Sequence, residues 1–315
     1  MNKMKIIRGL HNLQERHHDS VITIGNFDGI HLGHQAIIKQ LVSKARELAC
    51  FATVITFHPN PQEYFSPTNP PAKITPFYDK MHLLKSYGID QVVCLPFNAK
   101  LAELNAEDFI TQILIYRLGI KHIIIGDDFK FGKNRQGDLA MLNDYGKVNQ
   151  FTVETTPSYF VNKKRVSSTI IRQNMAETNI THCKELLGRT YKISGIVAHG
   201  DKRGRTIGFP TANIRLKQQI APTNGVYAVK ITGLGKTLTG VANLGVRPTV
   251  DGSLYLLEVH IFDFDQSVYR KRITVSFEHF IRKEQRFNGL DALVSQIQQD
   301  SETAKELLNQ LTTTN

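Results

Sequence analysis

The chain has 315 residues, of which 41% are hydrophobic and 21% charged, with a formal net charge of +11 and a pI of about 9.5. These values favour a globular protein of one large or two ordinary domains. No apolar run approaches the roughly 20 residues that a membrane helix needs, and the amino terminus lacks an apolar core of signal-peptide length. We therefore expect a cytoplasmic protein without a membrane partner.

The cysteines and the basic residues exclude further classes. Cys50, Cys94 and Cys183 lie far apart and form no CxxC pair, which argues against a zinc site or a disulfide framework. Cys50 and Cys94 have apolar neighbours and are expected in the core. The basic residues are dispersed in short clusters, so the charge permits a nucleic-acid partner without indicating one, and we predict none.

The first half of the chain alternates strand-like and helix-like segments. The predicted strands are residues 21–24, 52–57, 91–97, 121–126 and 150–155. Helices are predicted after the first strand and over 78–87 and 106–118. For the last helix, Asn105 is the predicted N-cap, Asp108 its capping-box partner and Gly119 the C-terminal stop.

Apolar strands separated by helices predict a doubly wound, parallel α/β sheet that is buried on both faces. Ligands bind at the carboxyl ends of strands in such sheets. Three of the predicted strands are followed by polar or glycine-rich loops, namely GNFDGIHLGH at 25–34, HPNP at 58–61, and a loop that begins with Asp127 and Asp128. This pattern predicts an active site at that edge of the sheet.

The second half changes character near residues 181–188. Short β-like runs with turn residues at their ends predict a small antiparallel barrel, followed by a helix over residues 290–311. We therefore predict two domains, 1–184 and 185–315.

The stretch GNFDGIHLGH is the first candidate site. Glycines allow close approach of the backbone to a ligand, and a helix N-terminus offers N–H donors to an anion. His31 and His34 can donate hydrogen bonds to phosphoryl oxygens. A tight turn with packed histidines is the structural alternative, and a metal site is disfavoured because no third ligand is obvious nearby.

The same stretch resembles the HxGH signature of the nucleotidylyltransferase superfamily. A second signature of that superfamily, SSTxIR, is matched by Ser167-Ser168-Thr169-Ile170-Ile171-Arg172. Three hydroxyls beside an arginine suit a triphosphate. The HLGH tetrad is also similar to the HIGH motif of class I aminoacyl-tRNA synthetases, but the chain has no KMSKS-like lysine loop and no anticodon-binding part.

The second half contains another candidate site, GRTIGFPTAN at 204–213, which is glycine-rich, basic and hydroxyl-bearing. That combination suits phosphate with a divalent ion, and a β-turn is the structural alternative. The GLGKT run at 233–237 lacks the first glycine of a P-loop, since position 230 is Lys230, and no helix is predicted after it. We interpret it as a hairpin turn.

GFPTAN is a signature of riboflavin kinases. The segments at 240–249, 257–264 and 281–287 are similar to that family in the same order, and the chain resembles the prokaryotic bifunctional riboflavin kinases and FMN adenylyltransferases over nearly its full length. It departs from their pattern at Tyr269-Arg270 and at Gly188-Arg189-Thr190, away from the proposed catalytic residues. The resemblance implies that ATP phosphorylates riboflavin to FMN, and that a second ATP donates an adenylyl group to FMN by direct in-line transfer.

The resemblance also implies residue roles. In the adenylyltransferase, the residues expected at ATP are Gly25, Asn26, Phe27, Asp28, His31, His34, Ser168, Thr169 and Arg172. On its flavin side they are His58, Asp128, Phe129 and Arg135. In the kinase, Glu258 is the expected base, and the residues expected at the ATP phosphates are Gly204, Gly208, Thr211 and Asn213. Thr211 and Asn213 are also expected at Mg²⁺. The flavin-side residues of the kinase are Asn243, Arg282, Glu284 and Phe287.

Some alternatives stay open at this stage. Phe129 and Phe131 are equally compatible with a core role, and the apolar run around Glu258 leaves open which face of its strand the carboxylate takes. A non-enzymatic flavin or nucleotide sensor with a basic surface for RNA is disfavoured because the HxGH, SSTxIR and PTAN motifs and Glu258 are all intact.

The expected partners are riboflavin, FMN and ATP, with FAD as product, and the expected state is a monomer or weak homo-oligomer.

Overall fold

The computed structural model describes residues 4–199, 207–216, 219–249 and 252–313. The chain divides into two compact units, Met1–Pro71 with Lys80–Ser167, and Ala72–Asp79 with Ser168–Asn315.

The first unit contains a six-stranded sheet in which all strand pairs are parallel. Its strands are β1 (Lys5–Arg8), β2 (Ser20–Ile24), β3 (Phe51–Phe57), β4 (Gln91–Leu95), β5 (Ile120–Gly126) and β6 (Thr152–Thr156). They lie in the order β1-β4-β3-β2-β5-β6. The predicted doubly wound fold is thus confirmed, with β1 as an additional edge strand.

The helices of this unit lie between the strands. They are α1 (Leu32–Glu47), α2 (Pro61–Phe65), α3 (Phe77–Ser86), α4 (Ala99–Ala102), α5 (Ala106–Asp108) and α6 (Leu139–Asn149). The residues of α3 before Lys80 belong to the second unit. α5 continues as a π-type helix over Phe109–Arg117. A hairpin of β7 (Phe160–Val161) and β8 (Lys164–Arg165) completes the unit.

Burial explains why these segments form the sheet. β2 and β4 are buried along their whole length, and Ile22, Val54, Ile55 and Ile123 are fully buried. Full burial of one such aliphatic side chain contributes about 1.5–3 kcal/mol. The β-branched runs therefore place their hydrophobic area on both faces of the sheet, which is the pattern that predicted a parallel sheet.

The helix that begins at Ala106 has the predicted caps at both ends but not the predicted capping box. Asn105 Oδ1 accepts the backbone N–H of Asp108 at 2.7 Å, as an N-cap does, and Gly119 ends the helix at φ 53°. Asp108 does not complete the predicted capping box, because its carboxylate accepts instead from the Asn105 side-chain amide at 2.9 Å.

The second unit is built on a closed barrel of six antiparallel strands in the order β10-β13-β12-β11-β14-β9. The strands are β9 (Lys192–Ala198), β10 (Thr211–Leu216), β11 (Gly225–Leu234), β12 (Lys236–Thr249), β13 (Gly252–Ile261) and β14 (Arg272–Lys283). Its helices are α7 (Ser168–Ala176), α8 (Ile180–Leu187) and α9 (Leu290–Thr313). This confirms the predicted antiparallel barrel with a terminal helix.

The barrel encloses its own core. Tyr227 and Phe277 are fully buried and their rings meet edge to face at 5.0 Å. A Cβ on Gly195 would lie 2.1 Å from Ile214, so the two strands approach more closely than a larger residue at 195 permits. Leu234 pairs with Lys236 across Gly235, which confirms the hairpin turn predicted for GLGKT.

The segment Ala72–Asp79 belongs to the second unit by its contacts. Arg172 Nε donates to the Ala72 carbonyl at 2.7 Å, and Asp79 Oδ2 accepts the backbone N–H of Ser194 at 3.1 Å. The predicted boundary at 184/185 concerns the separation of two activities, and it stays a prediction.

Candidate active sites

The carboxyl ends of β2, β3 and β5 lie side by side, since β2 pairs in parallel with both other strands. The three polar loops identified in the sequence therefore leave the sheet at one edge. Of these, the loop at residues 25–31 connects β2 directly to the N-terminus of α1.

The backbone of that loop is strained. Phe27 and Ile30 have φ values of 48° and 40°, and Gly29 lies between them at 87°. A β-branched residue in the left-handed region is unusual. Phe27 is 2% exposed and Ile30 is fully buried, so packing holds a conformation that the backbone alone disfavours.

The two predicted histidines are brought together at the start of α1. His31 is the N-cap, and its Nδ1 accepts the backbone N–H of His34 at 3.3 Å. The imidazole rings stack with centroids 3.7 Å apart and planes 16° from parallel. A Cβ on Gly33 would come within 3.3 Å of the His31 ring, so the glycine of HxGH leaves room for the imidazole.

Lys80 anchors this loop and was not identified from the sequence. It is 8% exposed, and its Nζ donates to the carbonyl oxygen of Asn26 at 2.9 Å and to Thr56 Oγ1 at 3.4 Å. Thr56 Oγ1 donates to the same carbonyl at 3.3 Å. A lysine on an amphipathic helix gives no sequence signal for such a role. Asp28, also predicted, is buried in the same loop.

A cavity of about 830 Å³ in the first unit is bounded by the ends of β2 and β3, at Ile24 and Phe57. Its aromatic lining consists of Phe57, Phe65, Phe97, Phe109, Phe129 and Phe131. Phe129 and Phe131 stack at 5.6 Å, and both contribute to the lining. Such a cavity fits a large planar ring system.

The four predicted flavin-side residues of this unit are not all in that cavity. Phe129 and Arg135 are among its lining residues, whereas His58 and Asp128 are not. The Asp128 carboxylate instead accepts from Arg165 at 2.7 Å, and this hydrogen bond raises the pKa of the Arg165 guanidinium. The roles of all four residues toward a flavin stay predictions.

Ser168, Thr169 and Arg172 belong to α7 in the second unit. The sequence motif therefore starts a helix, and the Arg172 guanidinium already donates to a backbone carbonyl. Their assignment to ATP phosphates rests on the motif.

The predicted kinase residues form a row across three strands of the barrel. Asn213 of β10 and Asn243 of β12 both lie opposite Glu258 of β13. The neighbouring residues Leu257 and Val259 are fully buried in the barrel core, so Glu258 takes the outer face, with its side chain 24% exposed. This answers the question that the apolar run left open.

Thr211 lies two residues before Asn213 and therefore on the same outer face. Asn213 Nδ2 donates to the carbonyl oxygen of Thr211 at 3.4 Å. Gly208 has a left-handed φ of 85°. Gly204, the remaining residue predicted at the phosphates, lies outside the described residues.

The residues predicted on the flavin side of the kinase are held in two different ways. Asn243 Nδ2 donates to Glu284 Oε1 at 3.2 Å, next to the row. Arg282 binds Asp300 of α9 through contacts of 2.7–3.1 Å, and its guanidinium lies 5.6 Å from the Phe287 ring. Their roles toward riboflavin stay predictions.

The described residues contain no group of three or more His, Cys, Asp or Glu side chains arranged to hold a metal ion. Within the same residues, no helix is long and apolar enough to cross a membrane.

The three cysteines differ in burial. Cys94 is buried as expected, whereas Cys50 is only partly buried. Cys183 is also buried, and burial raises the pKa of its thiol to about 12.

Two family models match the chain in succession. The model described as FAD synthetase matches residues 13–170, and the one described as riboflavin kinase matches residues 187–308.

Curated proteins are similar over nearly the whole chain. A bifunctional riboflavin kinase/FMN adenylyltransferase of Haemophilus influenzae is 46% identical over 97% of this chain and 100% of its own length. Proteins of the same description from Escherichia coli K12 and Pseudomonas fluorescens are 44% and 43% identical, each over 96% of this chain and 97% and 98% of their own lengths.

A solved structure is also similar. The crystal structure described as a macrolide-efflux protein from Streptococcus pneumoniae matches 96% of this chain and 99% of that chain, with a TM-score of 0.81 and 31% identity.

Proposed function

Since the chain belongs to the family of bifunctional riboflavin kinases/FMN adenylyltransferases, it converts riboflavin to FMN and FMN to FAD, and we propose which residues carry each reaction. We assign adenylyl transfer to residues 1–184 and phosphoryl transfer to residues 185–315. The order of the two family models along the chain supports this assignment.

For adenylyl transfer, an oxygen of the FMN phosphate attacks the α-phosphorus of ATP. The new O–P bond forms as the bond to the bridging oxygen breaks, and pyrophosphate leaves with that electron pair. His31 and His34 donate hydrogen bonds to phosphoryl oxygens as charge builds on them. The N-terminus of α1 adds backbone N–H donors at the same point.

We place the flavin ring in the 830 Å³ cavity of the first unit. The aromatic side chains provide apolar faces for stacking, and Lys130, Lys133 and Arg135 place positive charge in the lining. This cavity begins at Ile24, where β2 ends, one residue before the loop that bears His31. In our assignment, FMN and the ATP phosphates therefore bind at neighbouring parts of one sheet edge.

For phosphoryl transfer, the riboflavin 5′-hydroxyl oxygen attacks the γ-phosphorus of ATP. Glu258 accepts the hydroxyl proton, and ADP leaves with the electrons of the broken bond. The exposed outer face of β13 gives substrates access to this carboxylate.

The side chains of Thr211 and Asn213 suit a magnesium ion that binds together with the nucleotide. Thr211 and Asn213 offer hard oxygen atoms on one face of β10, and Mg²⁺ is commonly held by one or two protein ligands together with waters and substrate phosphates. An ion held there would neutralise charge on the ATP phosphates.

The observation that carries these assignments is the separation of the histidine pair from Glu258. The stacked histidines cap a helix in the parallel-sheet unit, whereas Glu258 faces outward from the barrel. We expect the double variant His31→Ala/His34→Ala to lose FAD formation and to keep FMN formation. Glu258→Gln should lose FMN formation and still adenylylate supplied FMN.

The test uses the full chain with ATP, Mg²⁺ and either riboflavin or FMN, followed by chromatography of the flavins. Full-length variants are preferable to a fragment because residues 72–79 contact residues of the second unit. If Glu258→Gln keeps the wild-type rate of FMN formation, Glu258 is not the base. If the histidine variant makes FAD normally, those imidazoles do not act on ATP.

We further propose that the protein acts in the cytoplasm on small-molecule substrates, as a monomer or weak homo-oligomer and without a nucleic-acid partner. Sedimentation velocity and a gel shift with RNA at moderate salt test the last two points.

A further inference from the structure

The pairs Arg282–Asp300 and Arg247–Glu258 on the barrel differ in exposure. Arg282 and Asp300 are 21% and 5% exposed at their side chains, and the guanidinium meets both carboxylate oxygens. Arg247 and Glu258 are 47% and 24% exposed, with Nη2 of Arg247 2.7 Å from Oε1 of Glu258. The first pair joins β14 to α9, whereas the second involves the carboxylate that we propose as the kinase base.

Arg247 lies at a position where it can also meet a nucleotide. It is four residues after Asn243 on β12, so both side chains take the outer face of the strand, together with Glu258 of the adjacent strand. Gly245 lies between them, and a Cβ there would come within 2.2 Å of Glu284 Oε1. The missing side chain at 245 leaves this face open for the neighbouring polar groups.

Exposure determines how easily each pair can be broken. An exposed ion pair contributes little net stability, because water and salt screen it and two long side chains must be held in place. A buried pair is costly to break, since a charge is then left without its partner. The Arg247–Glu258 pair can therefore be exchanged for a stronger interaction, such as that of a guanidinium with a phosphate.

We propose that Arg247 is a phosphoryl-binding residue of the kinase reaction, which moves from Glu258 to the γ-phosphoryl oxygens when ATP binds. This proposal rests on the assignment of Glu258 as the base. In the unliganded barrel, the guanidinium offsets the negative charge that would repel the triphosphate. In the ternary complex, it binds the phosphoryl group, and the Glu258 oxygen that it leaves can accept a proton.

The transfer step then balances. The O–P bond forms between the riboflavin 5′-oxygen and the γ-phosphorus, while the bond from that phosphorus to the β–γ bridging oxygen breaks. The hydroxyl proton goes to Glu258 and the electron pair goes to ADP. Arg247 stabilises the charge on the three transferring oxygens throughout, as an arginine does in other phosphoryl transfers.

Full-length Arg247→Gln and Arg247→Lys test the role. We expect the kinase kcat to fall by about 10²-fold in the glutamine variant and by about tenfold in the lysine variant, because lysine keeps the charge without the planar fork. Lys236→Gln removes an exposed cation from the other end of β12 and should leave the kcat within about twofold of the wild type.

Nucleotide affinity separates phosphoryl binding from a structural role. Calorimetric titration with Mg²⁺ and either ADP or a non-hydrolysable ATP analogue should show about tenfold weaker binding of the analogue alone at the kinase site of Arg247→Gln. The adenylyltransferase site is common to the variant and the wild type and is fitted as a second, unchanged site. A purely structural role would weaken both nucleotides together or neither. Circular dichroism and urea unfolding of each full-length variant report whether the barrel is folded, and Arg247→Lys replaces the glutamine variant if that fails to fold.

The outcomes also separate this proposal from the assignment on which it rests. If Glu258→Gln removes kinase activity and both Arg247 variants keep it, Glu258 stays the base and Arg247 has no part in the reaction. If neither Glu258→Gln nor Arg247→Gln changes the rate, the base assignment fails first. Equal weakening of ADP and the analogue overturns the proposal.

Discussion

The two units present the residues that we propose at phosphate in opposite ways. In the first unit, His31 is 6% exposed and follows a loop in which Phe27 and Ile30 are held in left-handed backbone conformations by burial. In the barrel, Asn213, Glu258 and Asn243 lie side by side on the outer face of regular strands. The first arrangement depends on packing, whereas the second depends on strand register alone.

The two arrangements should respond differently to substitution. A change in the strained loop disturbs both the fold and the chemistry, because the same contacts hold the backbone and aim the side chains. A change in the outer-face row removes a proposed functional group from a barrel whose core lies on the other face.

The largest effect is expected at His31, where chemistry and helix capping can be separated. Asparagine is a good N-cap but has no imidazole, so His31→Asn should lower the adenylyl-transfer kcat by about 10³-fold with little loss of stability. His31→Ala should lower it similarly and also lower the free energy of unfolding by about 1 kcal/mol, through loss of the cap. Steady-state kinetics and urea unfolding check this; equal stability of the two variants would contradict the capping role.

The next effect is expected at Lys80. Lys80→Met removes the ammonium that holds the Asn26 carbonyl and should lower adenylyl-transfer kcat by about 10²-fold, because the loop is no longer held in place. The free energy of unfolding should fall by about 1–2 kcal/mol. Lys85→Met, at an exposed position of the same helix, is the matched control. Normal kinetics in Lys80→Met would show that the loop holds its shape without this anchor.

The barrel should respond differently at Asn243. Asn243→Ala removes the hydrogen bond to Glu284 and should raise the riboflavin KM of the kinase by about tenfold. The free energy of unfolding should change by no more than about 0.5 kcal/mol, since the residue lies on the outer face. Thr239→Ala, four residues earlier on the same face, should leave the KM unchanged. A large loss of stability in Asn243→Ala would break the contrast between the two units.

The smallest effect concerns pH and His122 of β5, a buried side chain in the first unit. Burial lowers the pKa of His122 from the ordinary 6.5, and the positive charge of Lys44 lowers it further. The carboxylates of Glu154 and Glu47 raise the pKa, but they do not offset the burial. Thr152 Oγ1 lies 2.5 Å from its Nδ1. The unfolded chain therefore binds the proton more readily, so stability is fully present above pH 6.5 and declines as the pH falls from 6.5 toward the lower folded pKa.

The variant His122→Gln should remove that part of the pH dependence. Urea unfolding between pH 7.5 and pH 5 should show a shallower loss of stability than in the wild type. The exposed His11, changed to Gln, is the control and should keep the wild-type slope. An unchanged slope in His122→Gln would show that other groups cause the decline.

The sequence predicted the sheet of the first unit well, because runs such as residues 21–24 and 52–57 match β2 and β3 nearly residue for residue. β1 was missed, since KIIR is too short to show a period. α2 was missed although its signals were present: Asn60 caps it, Pro61 starts it, and Glu63 closes the capping box. The π-type turn after α5 has no sequence signature in the capping rules.

The residues of the candidate sites also divide into those that short sequence patterns identify and those that they do not. Motifs identified His31, His34 and Glu258, because those residues stand in short patterns. Lys80 and Arg247 depend on contacts between residues distant in sequence, 54 positions apart for Lys80 and Asn26 and 11 for Arg247 and Glu258. Periodicity cannot show such pairs, and the strand register of the barrel is needed to bring Arg247 and Glu258 to one face.

The hydrogen bond that caps α1 also determines the tautomer of the His31 imidazole, which we propose as catalytic. His31 Nδ1 accepts the N–H of His34, so the neutral ring must carry its proton on Nε2. In the role that we propose for His31, its Nε2–H is then the donor to a phosphoryl oxygen. A protonated ring would place a hydrogen on Nδ1 and lose the cap, which links the proton state of this residue to the first turn of the helix that presents it.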